Sequence, residues 1–194
     1  MIKQIIFLIL LAFILRILFI FQGAVSFHYD MARDAFEAQQ IWKEGDLKIL
    51  GPPTSTSGLY HGVFYYYLIA PFYALGQGDP RVVAVALSLI NSLAIIPIFL
   101  LAKDLFKSIR LAILAGLLYV VSFEATQYGP WLSNPSPAML TLGLYFLGLR
   151  LWQKGKAKGF YLATLSAALS TQFQFFLIYL MFLILVFGYI FRVK

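Results

Sequence analysis

Six apolar runs, at residues 4–22, 81–102, 111–128, 136–152, 159–173 and 175–191, occupy most of this chain, and short polar or basic segments separate them. A helix of about 20 apolar residues crosses the ~30 Å hydrocarbon core of a bilayer. In lipid the backbone has no water to bond and must satisfy its own hydrogen bonds, which leaves helices or closed barrels. Runs of this length and spacing predict an all-α, polytopic transmembrane helical bundle of about six spans. Composition agrees: of 194 residues, 61% are hydrophobic and only 12% charged. Mean hydropathy is +0.84, far from a soluble domain. The first run, preceded by Lys3, competes with a signal peptide whose cleavage region would be Gly23-Ala24-Val25-Ser26. It is longer than a typical signal core, so a retained helix is expected.

The net charge of +7 raises nucleic acid as a partner. The cations, however, cluster in the segments Lys103–Arg110 and Gln153–Gly159, between apolar runs, with Arg192 and Lys194 at the end. That is how cytoplasmic loops of membrane proteins are built, so no nucleic-acid role is expected. Without cysteine there is no disulfide framework and no thiolate chemistry, and no metal site is expected. Residues 62–76 decide the topology. They are too few to cross as a regular span, and Tyr65-Tyr66-Tyr67 suit the headgroup zone. If they do not cross, Lys3, both basic segments and the C-terminus lie in the cytoplasm and residues 23–80 form the first outer loop. Seven of the eight acidic residues, all but Asp104, then face outward. The chain reads as a single domain over 1–194 in a cell membrane, with no internal repeat.

Chemistry is expected in the outer loop. Residues 29–45 predict a helix ended by Gly45. Met31, Ala35, Ala38 and Trp42, with Ile41 alongside, form its apolar stripe; Asp30, Arg33, Asp34, Glu37 and Gln40 form the opposite one. Such a helix lies apolar side down on a membrane and presents its carboxylates outward. An ordinary solvated face of an interfacial helix has the same pattern. Asp30 starts the helix, where backbone amides favour an anion, and Arg33 follows one turn on, within reach of a carboxylate or a phosphate. Further along come the turn-rich segment Gly51–Gly58, a linker or a flap, and Tyr60-His61-Gly62-Val63-Phe64-Tyr65-Tyr66. Arg16 lies inside the first run, where a charge snorkels outward or faces a cavity. Glu124, Gln127, Tyr128, Trp131 and Asn134 cap a cavity or merely end a helix.

Asp30-Met31-Ala32-Arg33-Asp34, the His61 segment and the span opening with Arg81 resemble, in order and spacing, the N-terminal part of the polytopic GT-C glycosyltransferases. The likeness is to the protein O-mannosyltransferase and lipid A aminoarabinose transferase group (glycosyltransferase family 39 and relatives). That group commonly carries Asp-Glu-x-Arg-Tyr after the first span. Here the Asp and Arg match, while Met31 replaces the Glu and Asp34 the Tyr. The second family stretch, Lys/His-x-Pro-x-x-Tyr-Tyr, is matched without its Pro. The resemblance implies an inverting transfer of a sugar from a polyprenyl-phosphate donor to a glycan, lipid or protein acceptor at the outer face of the membrane. No cofactor is required beyond that donor. Asp30 would be the general base, and Arg33, Asp34, His61, Arg81 and Arg16 would bind donor phosphate or acceptor. Relatives are generally longer, so the chain is expected to be incomplete at its C-terminus. Each residue also has a plainer reading: Arg33 pairing with Asp30 or Glu37, Asp34 a helix-surface carboxylate, His61 an interfacial imidazole. A transporter or flippase for a lipid-linked sugar is the competing function, yet transporters hold charges near the midplane and show inverted repeats. A non-catalytic membrane fragment is the third.

Overall fold

The computed structural model describes residues 1–191 apart from 22, 24 and 26. Parts of the expected cleavage segment (Ala24, Ser26) and the terminal cations Arg192 and Lys194 lie outside the described residues. The described chain is helical: α1 (Ile2–Phe21), α2 (Tyr29–Glu44), α3 (Phe64–Leu75), α4 (Pro80–Ser92), α5 (Ile95–Phe106), α6 (Ile109–Val121), α7 (Phe123–Tyr128), α8 (Ala138–Gln153) and α9 (Ala157–Phe173). A single 3-10 turn at Phe175–Ile178 then leads into α10 (Tyr179–Phe191). Local chemistry sets several boundaries. Asp79 caps α4 by accepting from the Arg81 amide, with Pro80 in the first turn where its missing N–H costs nothing. Ser108 and Ser122 cap α6 and α7. Gly45 closes α2 in the left-handed region at φ 70°.

Among the described residues one helix, Pro80–Phe106 with 27 residues, is long and apolar enough to cross a bilayer by length and composition. The helices at Phe64–Leu75, Ile109–Val121 and Phe175–Phe191 are apolar but shorter.

The outside of the bundle is strongly apolar, and small polar residues are buried among the apolar side chains of its core. Phe7, Leu10, Ile14 and Leu18 of α1, Leu114 and Leu118 of α6, and Phe182 and Leu185 of α10 are exposed. Ser88, Asn91 and Ser92 of α4, Thr141 of α8, and Ser166 and Ser170 of α9 are buried. A water-soluble core shows the reverse. Small polar residues between helices with large apolar ones outside are what packing in lipid favours. The hydroxyls bond within the bundle: Ser88 to the Ala84 carbonyl at 2.8 Å, Ser92 to the Ser88 carbonyl at 2.7 Å, and Thr141 with Ser170 at 2.7 Å. Helices α8 and α9 lie so close that a Cβ on Gly148 would sit 2.5 Å from the Ala163 amide nitrogen.

The two ends of the bundle differ in chemistry. At one, Asp104 accepts from Arg150 Nε at 2.6 Å, from Lys107 Nζ at 2.9 Å and from Lys154 Nζ. Lys103 there meets Met1. At the other, the end of α1 and the start of α4 share a groove of Ile20, Phe21, Arg81 and Val82. The end of α9 meets the loop before α3. The chain therefore enters and leaves α3 at the same end of the bundle.

One expectation is corrected. Asp34 was expected on the outward polar stripe of α2, but it is buried in line with Met31 and Ala38. The reason is that α2 packs against α3, whose Tyr65, Tyr66, Ile69 and Tyr73 form one buried cluster with Met31 and Ala38. The expected apolar stripe does face α3, and Asp34, three residues after Met31 and four before Ala38, lies on that same face.

The close approach of α8 and α9 is testable. Gly148→Val forces the helices apart and should cost ~1–3 kcal/mol, the usual penalty for overpacking. It should appear as a lower unfolding temperature in detergent, with exposed Leu165→Ala unchanged. An unaltered transition for Gly148→Val would show that the helices separate freely.

Candidate active site at the carboxylate end of the bundle

Helix α2 carries Asp30, Arg33 and Asp34 within its first two turns, so one guanidinium reaches both carboxylates. Arg33 Nη1 donates to Asp30 Oδ1 at 2.8 Å. Its Nε and Nη2 both donate to Asp34 Oδ1, at 2.9 and 2.7 Å. The two carboxylates sit in opposite surroundings: the Asp30 side chain is 62% exposed and that of Asp34 only 4%. Burial pushes the Asp34 carboxyl up from 3.8 to about 6 although the Arg33 bonds pull it down. Tyr66 of α3 lies beside the pair and is itself pushed up, by burial and by the Asp34 charge. Tyr65 is fully buried, and its hydroxyl has no partner among the described residues.

This cluster borders a cavity of about 370 Å³ lined by Arg33, Glu37, Lys48, Gly51, Tyr60 and Tyr66 among others. Lys48 anchors its far wall, bonding Glu37 at 2.9 Å and Asp46 at 2.6 Å, while the Tyr67 hydroxyl donates to the Lys48 carbonyl at 2.8 Å. The Gly51–Gly58 segment turns back on itself. Pro53 bridges Tyr60, and the His61 amide donates to the Pro52 carbonyl at 2.8 Å. Gly51 has to be glycine here, because any Cβ would strike the carbonyl of Gly62.

His61 lies half-buried near the cluster. Burial lowers its affinity for a proton, and the Arg33 charge lowers it further. Its Nδ1 accepts the Phe175 amide at 3.1 Å. The remaining expected residues stand apart. Arg81 pairs with Asp79 at 2.6 Å and lines the groove at the end of α1. Arg16 is completely buried, bonds the Ala12 carbonyl at 3.0 Å and lies 5.1 Å from the Tyr119 ring centroid. Its Nε and Nη2 have no hydrogen-bond partner among the described residues, and no bond joins it or Arg81 to Arg33. Gly129 covers Arg16, since a Cβ there would lie 2.8 Å from Arg16 Cδ. A second cavity of about 300 Å³ lies beyond Gly129, lined by Asn91, Glu124, Tyr128, Trp131, Ser136 and Met139. It is where Glu124 and Tyr128 gather with the 129–137 loop.

Sequence reasoning missed Lys48 and the turn after α9. Lys48 belongs to no periodic pattern, and the only local hint was Asp46 two residues before it. Nothing local ties Phe175 to His61. Among the described residues no group of three or more His, Asp or Glu side chains is arranged to hold a metal ion. The cluster joins an exposed carboxylate to a restrained cation, and of these Arg33 lines the polar cavity.

A family model described as dolichyl-phosphate-mannose-protein mannosyltransferase matches residues 60–193. The stretch includes His61 and Arg81 and starts after Asp30, Arg33 and Asp34. No curated protein and no solved structure matches the chain.

The folded chain binds the Asp34 proton more tightly than the unfolded chain. The stability linked to this group should therefore fall as pH rises from about 4 to about 6 and be level above. An infrared carboxylic-acid band should titrate near pH about 6 and vanish in Asp34→Asn. A band that titrates in the ordinary carboxyl range would contradict the burial argument.

Proposed function

We propose a function from one premise: the chain belongs to the dolichyl-phosphate-mannose-protein mannosyltransferase family. Membership makes it a GT-C mannosyltransferase-type glycosyltransferase and a membrane protein. The finer reading is transfer of one sugar, with inversion, from a polyprenyl-phosphate carrier to an acceptor at the outer face of the cell membrane. In this reading six spans run through α1, α4–α5, α6–α7, α8, α9 and the 3-10 turn with α10. Both termini are cytoplasmic, and residues 23–80 hold the active site outside. Support comes from the two ends of the bundle: the Asp104 clamp collects cations at one, and the carboxylate cluster sits at the other.

The observation that carries the chemistry is Arg33 forked between an exposed and a buried carboxylate. The acceptor hydroxyl attacks the anomeric carbon and gives its proton to Asp30. The bond from that carbon to the phosphate oxygen breaks, and the phosphate leaves with the electron pair. Arg33 and His61 stabilise the charge it gathers. Arg33 Nη1 is held by Asp30 before the donor arrives. A donor phosphate drawing that N–H away would release Asp30 as a base, while buried Asp34 keeps the guanidinium in place. Arg81 and Arg16 would meet the lipid-linked donor away from the reacting atoms.

Asp30→Asn keeps the shape and removes the proton acceptor. Transfer from a polyprenyl-phosphate sugar in vesicles should fall ~10²–10⁴-fold with little change in thermal stability. Arg33→Lys should weaken donor use by ~1–3 kcal/mol with every acceptor, because an ammonium cannot hold two directions at once. If Asp30→Asn transfers normally while Asp34→Asn does not, the base is Asp34 and this assignment is wrong.

A further inference from the structure

The contact between His61 and the chain just past α9 sets the state of the imidazole. Its Nδ1 accepts the Phe175 amide at 3.1 Å. An acceptor nitrogen carries no proton, so the ring is neutral with its one hydrogen on Nε2. The bond is needed from both sides. Gln174 is extended, at φ −142° and ψ 105°, and breaks the helix. Phe175 then starts a 3-10 turn, where the first amides have no partner within the turn. His61 supplies one.

Two more contacts hold the same pieces together. The Phe64 amide donates to Gln172 Oε1 at 3.4 Å. Gly62 lies flush on α9, where a Cβ would overlap Gln172. The charged group facing His61 is Arg33 of α2, and the Gln172–Phe175 segment brings only neutral groups. Nothing facing the ring therefore favours imidazolium.

We propose that the turn after α9 locks His61 as a neutral Nε2–H donor aimed at an oxygen of the lipid donor's phosphate. Gln172 and the Phe175 amide are then positioning elements of the site, although more than a hundred residues separate them from His61. This rests on the sugar-transfer reading above. In it Arg33 supplies charge, and His61 supplies one directed N–H.

The full chain in nanodiscs, with ¹⁵N-labelled histidine, tests this directly. The sequence has two histidines, so His28→Gln leaves His61 alone in the spectrum. At neutral pH Nδ1 should show the shift of an unprotonated nitrogen and Nε2 that of a protonated one, with the ring taking up a proton only below the ordinary imidazole range. Phe175→Pro removes the amide hydrogen at the first position of a turn, after an extended residue, where proline fits. It should raise the His61 pKa, mix the tautomers and slow transfer from polyprenyl-phosphate mannose about tenfold, near the worth of one hydrogen bond to a charged group. Phe175→Ala keeps the amide and should do none of these. A protonated Nδ1 at neutral pH in the parent chain overturns the proposal without recourse to any variant. So does Phe175→Pro with parental tautomer or parental transfer rate. If the parent chain transfers no sugar from that donor while its tautomer is as stated, the sugar-transfer reading fails and the lock on the ring stands.

Discussion

The break in the helix at Gln174 is the constraint on which the carboxylate-bearing end of the bundle depends. A helix that stops inside a bundle leaves amides and carbonyls without partners, and burial makes such groups costly. Here the loops before α3 and α8 supply the missing partners. Phe175 N–H goes to His61, and the Phe173 carbonyl accepts Asn134 Nδ2 at 2.6 Å. Gln172 reaches Phe64. One irregular turn late in the chain thereby fixes the loop before α3 and the loop before α8. The loop before α3 and the end of α9 close each other's hydrogen bonds, and α2 joins them by packing against α3.

Arg33 plays the matching role for charge. A lone guanidinium at the end of a bundle would be free to swing, and a lone buried carboxylate would simply protonate. Held together they restrain each other. Asp34 anchors the guanidinium plane from inside through two of its N–H groups, and Asp30 takes a third from outside. The asymmetry matters for catalysis, since an incoming anion can displace the exposed partner far more readily than the buried one. Arg16 shows the contrast. Its charge rests on an aromatic face and one carbonyl, an arrangement that holds an arginine without preparing it for a reaction.

Much of this was legible in the sequence. The apolar runs became helices with boundaries close to those expected, and Gly45 ended α2 where its position required. Residues 62–76 were singled out as a short helix rich in tyrosine, and α3 occupies them. The burial of Asp34 went unread because its charge assigned it to the polar stripe, although its spacing of three from Met31 and four from Ala38 puts it on the apolar face. The tyrosines of α3 accept a carboxylate–guanidinium pair against them, so the buried line of α2 runs through Asp34. The Lys48 bridge and the His61–Phe175 bond were hidden for another reason. Each depends on how two distant segments meet, and no local spacing encodes that. The separation of Arg16 and Arg81 from Arg33 belongs to the same class.

The Asp104 clamp has a consequence for how the chain reaches its membrane form. Orientation during insertion is read from lysine and arginine near the helix ends, with little weight given to carboxylates. In the proposed orientation, Lys107 and Lys154 would therefore act first as an address, while Asp104 is still unpartnered. Once α5 and α8 are both in place, the same cations turn toward Asp104, together with Arg150, and fasten the inner ends of the helices. In that orientation the carboxylate would be silent during insertion and gather the cations only on assembly. One set of charges so serves biogenesis twice, in an order fixed by when their common partner arrives.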